Sequence, residues 1–77
     1  MNITEEKKQE AEEVVMKYRR IVHLDIEYAI TSAIQDRQSV LDELKSLFPL
    51  QHYNDEVILV SKCKSIMAQI EYLKSKI

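Results

Sequence analysis

Apolar residues recur along this chain at intervals of three and four, and that spacing predicts three helices. In the first stretch Ala11, Val14, Val15, Tyr18, Ile21 and Val22 share one face. The Thr4 hydroxyl can cap the amides that open this helix, and Glu5 and Glu6 place negative charge in its first turn, where the helix dipole favours it. A helix is expected over 4–22. Neither glycine nor proline marks its end, so Asp25 either caps a separate second helix or lies within one long bent helix.

The second helix is expected over 25–48. Ile26, Ile30, Ala33, Val40, Leu44 and Leu47 follow steps of four and three once Arg37 is counted in the vacant position. Ile34, Leu41 and Phe48 add a flanking stripe, making a face wide enough to touch both other helices. Pro49 ends the helix, because proline disfavours helical geometry in the residue before it. After a loop at 49–54, Asn54 or Asp55 is expected to cap a third helix over 55–77. There Leu59, Cys63, Ile66, Ile70, Leu73 and Ile77 alternate steps of four and three, a coiled-coil seam that Val60 and Met67 widen. The run Val57–Val60 also suits a strand, but no second strand or hairpin turn is there to pair with it.

The expected fold is therefore all-α, one domain over 1–77. It is either a three-helix bundle or a helical hairpin with an N-terminal helix. A chain of 77 residues builds a small core, and natural proteins of this size often lean on a disulfide, a metal or a partner. With one cysteine, an internal disulfide and the cysteine-rich zinc frameworks are excluded, so a homo-oligomer, dimeric or higher, is expected. Its seam would be Leu59, Cys63, Ile66, Ile70, Leu73 and Ile77.

The absence of glycine removes phosphate-cradling loops, dinucleotide fingerprints and EF-hand loops from consideration. His23 and His52 are far apart in sequence and do not make a helical metal pair. No cofactor, metal or catalytic residue is expected, and the chain is read as not an enzyme. A polar N-terminus, a single thiol and no apolar run of membrane-spanning length suggest a cytoplasmic protein without membrane association.

Net charge is −2, which does not favour nucleic acid. Lys17, Arg19 and Arg20 nevertheless form a local basic group beside Tyr18. They are read either as helix-end charge complementing the dipole or as contacts to phosphate or to an acidic partner. Arg37, with Asp36 beside it, either lays its stem along the core edge or makes a buried polar contact that fixes register.

Three short stretches carry a resemblance: Ala11-Glu12-Glu13-Val14-Val15, Val40-Leu41-Asp42-Glu43-Leu44 and Ile70-Glu71-Tyr72-Leu73. In this order they resemble a group of small helical accessory proteins of phages and mobile elements. The resemblance implies binding to a host or defence component and identifies no site. The expected function is a protein-binding module, self-associating through its second and third helices. The alternative is a nucleic-acid- or nucleotide-binding protein using Lys17, Arg19 and Arg20.

Overall fold

The computed structural model describes residues 3–22, 25–48 and 53–77. These form three α-helices, α1 (Glu5–Val22), α2 (Ile26–Ser46) and α3 (Tyr53–Lys74), packed on one another as an all-α bundle. Thr4 opens α1, its hydroxyl accepting from the Lys7 amide at 3.2 Å. Asp25 opens α2 in extended geometry, its carboxylate accepting from the Tyr28 amide at 2.9 Å. That cap separates α1 from α2. Pro49, like His23 and His52, lies outside the described residues, and α2 closes through the Leu47 amide, which donates to the Leu44 carbonyl.

The third helix begins earlier than its capping residues suggest. Tyr53, Asn54 and Asp55 are all helical, so neither Asn54 nor Asp55 precedes the helix. Side chains that cap well are also accepted in a first turn, where the dipole favours them. The helix ends at Lys74, and the final residues continue as turns.

α2 and α3 run antiparallel, as the contact of Arg37 with Gln69 and the cluster of Leu41, Cys63 and Ile70 show. α1 lies over the end of this hairpin remote from its connection. It touches α3 through Lys7 and Glu12 and α2 through Tyr18. Ala11, Ala29 and Ala33 have no exposed surface where the helices meet, with Val15, Ile30 and Leu73 around them. Alanine at those points lets the backbones approach closely. At the connected end α2 and α3 pack only on each other, around Leu41, Cys63 and Ile70 with Ile34, Leu44, Phe48 and Ile66.

Candidate protein-docking site

The predicted seam is built into the chain's own core. Leu59, Cys63, Ile70 and Leu73 are buried and Ile66 is half-buried; Cys63, Ile66 and Ile70 pack against α2, and Leu73 against α1 and α2. Ile77 alone of the six is exposed, beyond the end of α3. Within one chain the other five seam positions face the interior of the bundle. A four-and-three repeat identifies the face a helix buries, whichever chain supplies the cover.

Arg37 is half-buried and makes polar contacts inside the bundle. Its side chain keeps 16% exposure, donates to Asp36 at 2.7 Å through Nη2, and reaches the Gln69 amide oxygen through Nη1 at 3.4 Å. Gln69, wholly buried, donates in turn to the Lys7 carbonyl at 3.1 Å. Tyr18 closes the layer by donating to Asp36 at 2.9 Å. One polar chain thus links all three helices. Burial pushes the Asp36 carboxyl up, but the Arg37 and Tyr18 hydrogen bonds and the Arg37 charge outweigh it and hold the group below its usual range. The hydrogen bond to Asp36, and then burial, raises the Tyr18 hydroxyl. Gln69 escapes a reading by hydrophobic spacing, and the only hint of it is a polar residue between two seam positions.

Lys17, Arg19 and Arg20 do not converge on a phosphate-sized site. Lys17 sits over the Tyr18 ring at 5.6 Å, Arg19 is exposed, and Arg20 borders a shallow recess shared with Glu12 and Glu13. Carboxylates at that rim repel phosphate. Cys63 is a buried thiol in the apolar cluster. Among the described residues no group of three or more potential metal ligands comes together, and no helix is long and apolar enough to cross a membrane.

Two exposed apolar surfaces remain. At the α1 end, Val15, Met16, Ile26 and Ile30 line a recess of about 510 Å³ whose rim holds Glu12 and Lys76. Those two are paired at 3.2 Å. The Tyr72 hydroxyl also donates to Glu12, and the two hydrogen bonds lower its pKa.

The second surface is at the connected end, where Val57, Ile58, Leu59 and Val60 follow the first turn of α3. Four consecutive apolar residues cover the whole circumference of a helix, and here only Leu59 is buried. Val57 is 60% exposed, Ile58 57% and Val60 39%, and Leu47 on α2 adds 40%. Val57 and Val60 border a recess of about 440 Å³ with Glu56, Ser61 and Lys64. A helix apolar on every side is ordinarily enclosed on every side. No family model, curated protein or solved structure matches this chain.

Proposed function

We propose that this chain is a non-enzymatic protein-binding module whose contact surface is the connected end of the α2–α3 hairpin. One observation carries the proposal: Val57, Ile58 and Val60 stand exposed around one turn of α3, and Leu47 at the close of α2 is exposed at the same end of the hairpin. Clustered apolar exposure on a small chain marks an interaction surface, whereas scattered single residues do not. Self-association through α2 and α3 belongs to the same proposal and would draw on this outer face, since the seam is filled from within. Its most concrete form is an accessory protein of a phage or mobile element that binds and inhibits a host or defence component. The sequence resemblance and the small size support that form.

The test compares the wild-type chain with a Leu47→Asp/Ile58→Asp variant. Both are immobilised for capture from a bacterial lysate, and both are sedimented over a wide concentration range. The expected result is one or more proteins, or a second copy, retained by the wild type and lost by the folded variant. Identical capture and identical mass for the two would refute the assignment of this face.

A further inference from the structure

α3 carries two rows of residues at helical spacing. The inner row, Leu59, Cys63, Ile66, Ile70 and Leu73, faces the interior of the bundle. The outer row, Val57, Val60, Lys64, Met67, Glu71 and Lys74, alternates steps of three and four in the same way, and every member is exposed. The hydrogen bonds and the ion pair that α3 makes with α1 fall at Gln69, Tyr72 and Lys76, on a different side of the helix. Ile58, two residues before Val60, lies on the side of α3 opposite to it. The outer row is therefore a second heptad row on the same helix, apolar at Val57, Val60 and Met67 and left without cover in the single chain.

The charges beside this row set a direction. Glu56 and Lys64 line the recess of about 440 Å³ together with Val57, Val60 and Ser61, and the ion pairs formed among the described residues involve neither. Two copies of α3 laid parallel on this row would set Lys64 against Lys64 and Glu56 against Glu56. Laid antiparallel, about a twofold axis level with Lys62, Val57 meets the partner's Met67 and Val60 meets the stem of the partner's Lys64. Each contact occurs twice, once in each direction. The Lys64 ammonium then reaches the partner's Glu56, one turn beyond the partner's Val60. The patch is thus its own complement in shape order and in charge, as a twofold interface requires.

We infer that a second copy of this chain docks on the outer row of α3, antiparallel, with Val57 against the partner's Met67 and Lys64 paired with the partner's Glu56. The inference rests on the docking surface proposed above and divides it. Val57 and Val60 go to the second copy, while Ile58 and Leu47 remain for a different protein. The apolar row supplies the affinity, and the exchanged charges set the direction. Four positions on each copy make a small contact, so the dimer is weak, with a Kd in the micromolar range or above. Cys63 belongs to the inner row, packed with Leu41, so this contact does not change its cover.

The test is sedimentation of the untagged full-length chain from low micromolar to millimolar concentration, with circular dichroism confirming that each variant is folded. The wild type is expected to pass from monomer to dimer and no further. Glu56→Lys is expected to weaken the dimer roughly threefold to tenfold, as the loss of two exposed ion pairs allows, and Glu56→Lys/Lys64→Glu to restore it. Oxidation then reads the geometry. A mixture of Val57→Cys and Met67→Cys chains should form a covalent dimer, and neither variant alone should. A dimer that ignores Glu56→Lys, or that the second reversal does not restore, overturns the inference, as does cross-linking of Val57→Cys to itself. A wild type that stays monomeric throughout also overturns it. The docking surface is then decided separately by the capture experiment above, whose substitutions at Leu47 and Ile58 lie outside this row.

Discussion

The two ends of the hairpin use similar residues differently. At the α1 end, three helices close over alanines and Leu73, and a polar chain from Tyr18 to Lys7 runs through the contact. At the connected end, two helices share Leu41, Cys63 and Ile70, and Val57, Ile58 and Val60 remain exposed. The first end joins all three helices. The second retains apolar surface that contributes little to folding, which is the property expected of a binding face.

Substitutions can break that contrast, and the largest effect belongs at the α1 end. Leu73→Ala should lower stability by about 2–5 kcal/mol, because it opens a cavity where three helices meet. Urea unfolding should show this as a large fall in midpoint, or as a chain that no longer folds. Ala33→Leu tests the close approach from the other direction. Added methylenes at a contact with no exposed surface should cost about 1–3 kcal/mol by forcing α1 away from α2.

Asp36→Asn should cost about 1–2 kcal/mol, since it weakens charge-assisted hydrogen bonds to Arg37 and Tyr18. The folded pKa of Asp36 lies below its unfolded value, so its contribution is present above the ordinary carboxylate range. That contribution is lost as pH falls below about 4. Thermal melts from neutral to acid pH should therefore converge for wild type and Asp36→Asn at the acid end. Parallel curves throughout would mean the carboxylate is not paired in the folded chain. The smallest effect is expected at the connected end, where Ile58→Lys should shift stability by no more than about 0.5 kcal/mol while weakening any docked partner.

Much of the fold is legible in the sequence. The steps of four and three place much of the buried face of each helix, although Ile21, Ile26, Leu47, Val60 and Met67 on those faces are exposed, and Thr4 and Asp25 act as caps because their side-chain oxygens reach amides three residues on. The start of α3 is not legible from its caps, because Asn54 and Asp55 suit a first turn as well as the position before it. Arg37 could be singled out by its place in the heptad pattern, but its partner Gln69 depends on how α2 and α3 are aligned. The docking face is hidden for the same reason. Leu47 and Ile58 fall at one end of the hairpin only through its register, whereas spacing along one helix shows the seam and not which helix fills it.

Cys63 provides the most direct test, because it is the single cysteine and sits on the predicted seam. Its rate of reaction with a thiol-specific reagent should be measured across a wide range of protein concentrations in native buffer. If the seam is filled by the chain's own α2, labelling is slow and its rate constant is the same at every concentration. A rate that climbs on dilution would show that a second copy covers Cys63. It would return the seam to self-association and contradict the assignment of the docking surface to the outer face.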